Sequence, residues 1–456
     1  MRLAASFRDP AGFLFSQNGI LYRQVNTSFQ DDFRFLHDSG LYRDLLDRNL
    51  IIAAPLSDEQ PEAADSAFAV LRPERIPFVS YPYEWSFSGL KNAALLTLEL
   101  QRHALDHGMV LKDATAYNIQ FIGTGPIHID TLSFARYCDG EPWVAYRQFC
   151  QHFLAPLTLM ASVDPRTGLL LRTFIDGIPL DLACRLLRGR VKFNPYLFIH
   201  LFLHECFTRK DIHSERRAPR VHRLEKKKHL DLLQSLAYAI SGLSLPGRRT
   251  NWTDYYDRNR YSAGAFRAKC AIVNGCIDTI RPSNLLDVGA NSGVFSKEAA
   301  AKGIYSVAVD FDAQVINGLY DSLSGPNASA LLLPLVIDST NPSPALGFGH
   351  EERESFSSRC DFDAVLALAL MHHLLLTHNV PFFRMAGWFK SLGKNLIIEF
   401  VPSNDSQFQG MVATKTGVHQ DYTRAGFEKA FGEHFLIEES AAIPESTRII
   451  YRMRRK

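Results

Sequence analysis

The residue types with the clearest chemical meaning lie in residues 285–293, which read Leu-Leu-Asp-Val-Gly-Ala-Asn-Ser-Gly. An apolar run ends at Asp287, a turn with Gly289 and Gly293 follows, and a helical pattern comes next. Glycine in such a turn lets the backbone approach a ligand closely, and the N-terminus of the next helix offers free N–H groups. Seventeen residues after Gly293, Asp310 closes a second apolar run. A carboxylate there can accept both ribose hydroxyls of a nucleoside, so the pattern predicts an adenosine-containing cofactor.

Alternating strands and helices must bring these residues together, and the sequence from residue 252 onward has that alternation. It predicts an α/β fold with a doubly wound, mostly parallel, seven-stranded sheet that helices cover on both faces. The last two strands have a short connection, which favours an antiparallel hairpin at one edge. The predicted strands are 284–288, 305–309, 330–337, 363–370, 395–400, 435–440 and 447–452, and two predicted helices are 313–322 and 381–392.

This half of the chain, roughly residues 252–456, resembles the class I S-adenosylmethionine-dependent methyltransferases. That family closes its sheet with one reversed strand, which agrees with the predicted hairpin. Its glycine loop often has a middle glycine where this chain has Ala290, Asn291 and Ser292. A dehydrogenase would share the glycine turn and the later acid, but it would have a third glycine and would lack the acid before the first. The resemblance lies in Asp287, Gly289, Asn291, Gly293, Asp310 and Asp338.

The resemblance implies that the cofactor is S-adenosylmethionine. Asp310 would take the ribose hydroxyls, Asp338 at the end of the third strand would reach the adenine amino group, and the glycine turn would lie beneath the methionine part. Two hydrogen bonds to a carboxylate, at ~1.5–3 kcal/mol each, would carry much of a micromolar affinity of ~8 kcal/mol. The implied cofactor-binding residues are Asp287, Gly289, Ala290, Asn291, Gly293, Asp310 and Asp338.

The catalytic candidates lie just past the fourth predicted strand, where the family forms the floor of its methyl-transfer site, and at the end of the fifth. His372 or His373 could take a proton from the acceptor, and Glu399 could contact the substrate. Each has a structural alternative, since the histidines could bond to backbone in a loop after the strand and Glu399 could be a buried paired acid. The acceptor atom and the need for a base stay open.

A second set of polar residues lies in the N-terminal half. Asp113-Ala-Thr-Ala-Tyr-Asn118 is followed twelve residues later by Asp130. This spacing resembles the catalytic and metal loops of the protein-kinase-like fold. The resemblance implies ATP-dependent phosphotransfer in which Asp113 accepts a hydroxyl proton, while Asn118 and Asp130 hold Mg²⁺. A helix over 91–107 and a hairpin of 119–121 with 127–129 are predicted around these loops.

The same half departs from the kinase-like pattern in three places. No G-x-G-x-x-G occurs in the first 80 residues, Thr-Leu rather than Phe-Gly follows Asp130, and only Arg23 is a candidate for the phosphate-binding lysine. Asp113 could instead cap a helix and Asp130 could stabilise a turn. A further alternative is that this half binds a nucleotide or a substrate and presents it to the methyltransferase half.

Composition narrows the function classes further. The net charge of +2 over 456 residues gives no strong field for nucleic acid, and no apolar run is long enough to span a membrane. Seven scattered cysteines without a CxxC pair indicate reduced thiols and a cytoplasmic protein. The oligomeric state stays open. A fainter resemblance to host-specific nodulation proteins of rhizobia implies a small-molecule or glycan-related acceptor.

The sequence predicts two domains and a charged connector. Residues 1–205 form an α+β domain, for which the resemblance implies a degenerate kinase-like fold, residues 206–250 form the connector, and residues 251–456 form the methyltransferase domain. The connector includes the basic run 209–229, which is a solvated segment or a basic contact to RNA or to an acidic partner. Tyr255, Tyr256 and Tyr261 are candidates for a lid over the cofactor. The expected activity is methyl transfer with an N-terminal recruiting or regulatory domain; a bifunctional kinase and a non-catalytic cofactor-binding module are the alternatives.

Overall fold

The computed structural model describes residues 1–187, 189–206, 224–247, 250, 252, 262–324, 329–412 and 422–456. The chain divides into two compact units. Unit 1 comprises Met1–Gly247 and Leu346–Arg353, and unit 2 comprises Arg248–Ala345 and Glu354–Lys456. The lid tyrosines and residues 209–223 of the basic run lie outside the described residues.

Unit 1 begins with a three-stranded antiparallel sheet of β1 (Gly12–Gln17), β2 (Ile20–Asn26) and β3 (Ala67–Leu71). Successive side chains of a strand point to opposite faces, so Phe13 and Phe15 lie on the same face of β1, and both pack in the core. The long helix Phe87–Asp106 starts where the Ser86 hydroxyl accepts the Gly89 N–H.

Two further strand pairs follow that helix in unit 1. β4 (Met109–Leu111) pairs with β7 (Phe134–Arg136), and β5 (Ile119–Ile122) pairs antiparallel with β6 (Gly125–His128) at the predicted hairpin. Helix Lys226–Ser241, in the predicted connector, belongs to this unit. Among the described residues of unit 1, the other α-helical and π-helical segments are Gln30–Asp38, Leu41–Asp47, Tyr146–Phe149, Cys150–Leu154 (π), Ala155–Ser162, Leu170–Thr173, Leu180–Leu186, Pro195–Leu197 and Phe198–Leu203 (π).

Unit 2 is built on a seven-stranded sheet in the order β10-β9-β8-β11-β12-β14-β13. All neighbouring strands run parallel except where β14 pairs antiparallel with β12 and with β13. Pro334 in β10 is tolerated because β10 is an edge strand. The strands are β8 (Asn284–Val288), β9 (Tyr305–Asp310), β10 (Leu332–Val336), β11 (Phe362–Ala367), β12 (Gly393–Phe400), β13 (Phe435–Ala442) and β14 (Ile449–Arg455).

The predicted α/β fold with a large, mostly parallel sheet is confirmed for this unit. The central strands are buried on both faces, which is why they read as continuous apolar runs. The predicted loop after the fourth strand is wrong, because β11 ends at Ala367 and the helix Met371–His378 follows. The helices that the structure describes in unit 2 are Ala263–Ile280, Val294–Ala301, Ala313–Ser322, Phe356–Arg359, Met371–His378, Phe382–Leu392, Ser406–Val412 and Arg424–Gly432.

No helix among the described residues combines the length and the apolar character that crossing a membrane requires.

Candidate cofactor site

A cavity of about 160 Å³ opens in unit 2 at the carboxyl ends of the parallel strands. One water needs only ~10–15 Å³ by the same kind of measure, so this space is large enough for part of an organic ligand. Its polar lining residues are Lys269, Asp287, Asn291, Asp310, Asp338, Ser339, Thr340, His373 and His378. Its apolar and backbone lining residues are Trp252, Gly289, Ala290, Phe295, Phe311, Leu368, Ala369, Leu370 and Leu374.

The turn after β8 holds its shape through backbone bonds to the next strand. The N–H groups of Gly289 and Ala290 both donate to the Val309 carbonyl, at 2.8 and 3.0 Å. Gly289 has φ +77° and Asn291 has φ +51°. Asparagine is one of the few residues that enters this left-handed region readily, so Asn291 can occupy a turn position that would otherwise favour glycine.

Gly293 faces a neighbouring helix, whereas Gly289, Ala290 and Asn291 line the cavity. It precedes the helix Val294–Ala301 at φ +72° and does not line the cavity. A Cβ atom on Gly293 would lie 2.7 Å from Cδ2 of the buried Leu319. Close packing of the turn on a neighbouring helix therefore requires glycine here.

Asp310 is buried at the end of β9, and both its oxygens accept backbone hydrogen bonds. Asn291 N donates to Oδ2 and Asp312 N donates to Oδ1, each at 3.0 Å. Burial raises the pKa of Asp310 to about 6, although these bonds oppose the shift. Each oxygen keeps a lone pair that can accept another hydrogen bond from a ligand.

Asp287 and Asp338 complete the set of three strand-end acids. Asp287 is buried, accepts the Ser296 hydroxyl at 2.6 Å, and has its pKa raised to about 6, chiefly by burial. Asp338 is exposed and accepts both the N–H and the hydroxyl of Thr340, at 2.8 and 2.6 Å. The fold thus brings acids from three neighbouring strands to one cavity.

His373 is the one of the three catalytic candidates that lines the cavity. It lies in the first turn of the helix Met371–His378, and the Trp252 ring meets it at 5.1 Å between centroids. Burial and, to a smaller extent, the positive charge of Arg448 lower the pKa of His373 to about 4. The imidazole is therefore neutral at pH 7.

His372 and Glu399 do not line the cavity. Both are fully buried, and neither ring nitrogen of His372 has a hydrogen-bond partner among the described residues. Glu399 accepts from Lys269 Nζ at 2.6 Å and from Arg448 Nη1 at 3.2 Å. Arg448 also donates to Asp405, so Glu399 is a member of a buried ion network.

Several residues that line the cavity were not predicted from the sequence. Phe311 had a local signal, since it is an aromatic residue directly after Asp310 in the sequence. Ala369 has φ +51° without being glycine, which only coordinates can show. Lys269 and Trp252 come from the segments before β8, and nothing in their neighbourhood in the sequence marks them as lining residues.

The second predicted set of residues comes together in unit 1. Arg23 on β2 pairs with Asp130, with 2.5 Å between Nη2 and Oδ1. Asp130 also accepts the Ser133 hydroxyl at 2.6 Å and the Leu132 N–H at 3.0 Å. Burial alone would raise the pKa of Asp130, but Arg23 and the hydrogen bonds lower it overall.

Asp113 and Asn118 lie beside this ion pair. Asn118 donates to the Ser133 hydroxyl at 3.0 Å, and Asp113 accepts the Thr115 N–H at 3.1 Å. Burial raises the pKa of Asp113, and the negative charge of Asp130 adds to the rise. No group of three or more His, Cys, Asp or Glu residues suited to a metal occurs in the described part of the chain. Mg²⁺ would have to compete with Arg23 for Asp130.

No family model matches this chain, but solved structures and a curated protein are similar to it. Among solved structures, magnesium protoporphyrin IX methyltransferase (ChlM) of Synechocystis PCC 6803 is 14% identical with a TM-score of 0.31, over 46% of this chain and 87% of that one. WbdD is 19% identical with a TM-score of 0.31, over 41% of this chain and 39% of that one, so the match spans about two fifths of WbdD.

One curated protein matches over its length. The nodulation protein NoeA of Rhizobium meliloti (strain 1021) is 35% identical over 467 residues, which cover 100% of this chain and 96% of that protein. The predicted resemblance to nodulation proteins is therefore confirmed. The chain belongs to the family of the nodulation protein NoeA.

Proposed function

We propose that this protein is an S-adenosylmethionine-dependent methyltransferase with a small-molecule acceptor. The observation that carries the proposal is the meeting of Asp287, Asp310 and Asp338 around one cavity at the carboxyl ends of three neighbouring parallel strands. In open α/β sheets, ligands bind in the crevice outside those ends. The single reversed strand β14 is the second feature in favour of the methyltransferase resemblance.

The cavity residues have the chemistry that the cofactor requires. Asp310 keeps lone pairs on both oxygens for the two ribose hydroxyls, and exposed Asp338 can accept from the adenine amino group. Phe311 supplies an apolar ring beside Asp310 for the adenine face. The bound cofactor would supply an electrophilic methyl group.

His373 is our candidate for the acceptor-side base. It is neutral at pH 7 and lines the same cavity, so the ring nitrogen that carries no proton can take the proton that the acceptor loses. Its low pKa makes it a weak base, so alignment of the acceptor contributes more to the rate than proton transfer does. We assign Glu399 to the ion network and not to substrate contact.

The remaining parts of the proposal concern location and unit 1. The described cysteines are all free thiols, which supports a cytoplasmic protein. Unit 1 recruits the acceptor or regulates its methylation. The alternative hypothesis is that unit 2 binds the cofactor without catalysing a reaction. Turnover of the cofactor with any acceptor would exclude this alternative.

Calorimetry with S-adenosylmethionine tests the cofactor site. We expect micromolar binding by the parent and an affinity at least ~100-fold lower for Asp310→Ala, because two hydrogen bonds to a carboxylate are lost. Asp361→Ala, an exposed acid of the same unit, is the matched control and keeps parental affinity. Asp310→Asn is run beside it to separate loss of charge from loss of fold, with melting curves for each variant. Equal affinities of the parent and the folded Asp310 variants would refute the assignment.

We propose phosphate binding in unit 1, with phosphotransfer to an acceptor hydroxyl, as a second candidate function. The observation in its favour is the approach of Arg23 to Asp130 beside Asp113 and Asn118. A guanidinium is a good phosphate ligand, and an aspartate with a raised pKa is better matched to proton transfer near pH 7. The Asp130–Arg23 pair makes binding of Mg²⁺ by Asp130 the weakest part of this candidate.

Thermal melting with ATP, with and without Mg²⁺, tests this candidate. We expect ATP to raise the melting temperature of the parent but not of Arg23→Gln, while Asp113→Asn keeps the shift and loses phosphotransfer. Arg43→Gln, an exposed arginine of the same unit, is the control for Arg23. An ATP effect that Arg23→Gln leaves unchanged, or no effect with either form of ATP, would count against the candidate.

A further inference from the structure

The helical segment that runs through Pro195–Leu197 and Phe198–Leu203 in unit 1 is apolar on two opposite sides. One side buries Leu197, His200 and Leu201 in the core, where His200 bonds to Tyr146 and Ser235. A surface helix normally has a polar outer face. This one instead exposes 43% of Phe198, 46% of Ile199 and 38% of Leu203 to solvent.

The exposed apolar surface continues beyond this helix. Phe193, which precedes the helical segment, is 85% exposed. The ring centroid of Tyr196 in the segment lies 5.8 Å from that of Tyr238 in the helix Lys226–Ser241. Contiguous exposed apolar surface of this kind marks an interaction site. We call it the aromatic patch and define it as Phe193, Tyr196, Phe198, Ile199, Leu203 and Tyr238.

Positive charge accompanies the aromatic patch. Exposed Lys192 directly precedes Phe193, and its Nζ lies 5.5 Å above the Phe202 ring. In the sequence, residues 185–228 contain thirteen Lys or Arg and four Asp or Glu, whereas the whole chain has a net charge of +2. The remainder of the chain is therefore acidic overall, and the positive charge is concentrated in the sequence around the patch.

We propose that the aromatic patch docks unit 1 on an anionic lipid surface. Phenylalanine, isoleucine and leucine side chains enter the boundary between headgroups and acyl chains, tyrosine prefers its polar side, and basic residues are attracted to anionic headgroups. A nucleic acid would use the positive charge but not the aliphatic side chains. A second copy of the chain would bring like charge against like charge, which opposes self-association.

Sedimentation with vesicles tests the proposal on the full chain. We expect binding to vesicles of phosphatidylcholine with 30% phosphatidylglycerol (chosen composition, roughly the charge of an anionic leaflet) and little binding to phosphatidylcholine alone. Raising the salt from about 0.1 to 0.5 M weakens the binding several-fold, because it screens the charges. Lys192→Glu weakens it by about fivefold at low salt.

Apolar variants separate the patch from charge alone. Phe193→Ser with Phe198→Ser should lower the vesicle partition coefficient by at least ~30-fold, since two apolar side chains no longer leave water. Phe383→Ser, an exposed phenylalanine of unit 2, is the matched control and leaves partition unchanged. Melting curves and S-adenosylmethionine binding report whether the variants stay folded.

Three outcomes would overturn the proposal. They are a parent chain that binds no vesicles, folded patch variants that bind as the parent does, and a concentration-dependent dimer that Phe198→Ser dissociates without any vesicle binding. The last outcome would assign the aromatic patch to self-association. None of them depends on whether unit 2 transfers methyl groups.

Discussion

At the scale of single residues, burial opposes the charges that the site needs. Asp287 and Asp310 each have a pKa raised to about 6, whereas an unfolded chain ionises its aspartates near ~4. Above pH 6 the folded protein therefore carries two carboxylates in surroundings that favour their protonated form. The buried carboxylates of Asp287 and Asp310 therefore lower the folding stability at neutral pH, and they are groups to which a polar ligand can bind.

Asp287→Asn tests this cost. We expect the variant to be more stable than the parent by about 2 kcal/mol at pH 7.5, because a raised pKa of an acid means stability lost as pH rises from ~4 through 6. The gain should shrink as pH falls through 6 and vanish near pH 4, where both chains are neutral at this position. Denaturant unfolding across that pH range measures it, and a gain independent of pH would contradict the pKa argument. The more stable variant should also bind S-adenosylmethionine less tightly.

At the scale of elements, the turn between β8 and the helix Val294–Ala301 is defined by positive φ angles. Gly289, Asn291 and Gly293 all adopt them, and the sequence pattern had marked each of the three. Only the structure shows that their roles differ. Gly289 and Asn291 shape the cavity, and Gly293 allows the contact with Leu319.

Gly293→Ala should destabilise unit 2 by about 2–3 kcal/mol, from backbone strain plus the clash with the buried Leu319 side chain. Gly303→Ala is the control, because Gly303 has φ +84° with no atom close to a new Cβ, so only strain of about 1 kcal/mol remains. Chemical denaturation measures both. If the two substitutions cost the same, the close approach to Leu319 does not matter. A Leu319→Ala change should remove the difference.

At the scale of the whole molecule, the chain does not divide at one point. The segment Leu346–Arg353, which follows β10 of unit 2 in sequence, belongs to unit 1. Glu352 in this segment is buried and accepts from Arg8 Nε and Nη2 at 2.7 and 2.6 Å. The guanidinium carbon of Arg353 lies 4.0 Å from the ring centroid of Tyr117. In the sequence, Tyr117 falls between Asp113 and Asn118.

Glu352→Gln should therefore weaken unit 1 by about 1–2 kcal/mol, a modest value because Arg8 is half exposed. The hydrogen bonds from Arg8 lower the pKa of Glu352, so its contribution is present at neutral pH and is lost as pH falls below ~4. Hydrogen exchange measures it, as faster exchange in β1 and β2 with unchanged exchange in β8 and β9. Equal acceleration in both sheets would contradict the assignment of this segment to unit 1.

The sequence by itself determined the strands of unit 2 and two of its helices, since buried parallel strands leave continuous apolar runs and their turns require glycine or asparagine. The predicted strand 284–288 and helix 313–322 coincide with the observed ones. Local signals also marked the acids at the strand ends. Other features depended on tertiary structure alone, because they join residues distant in the chain. Examples are Trp252 over the cavity, the burial of Glu399 between Lys269 and Arg448, and the pairing of Arg23 with Asp130. Periodicity reports which face of a segment is buried, but it does not report which partner will bury it.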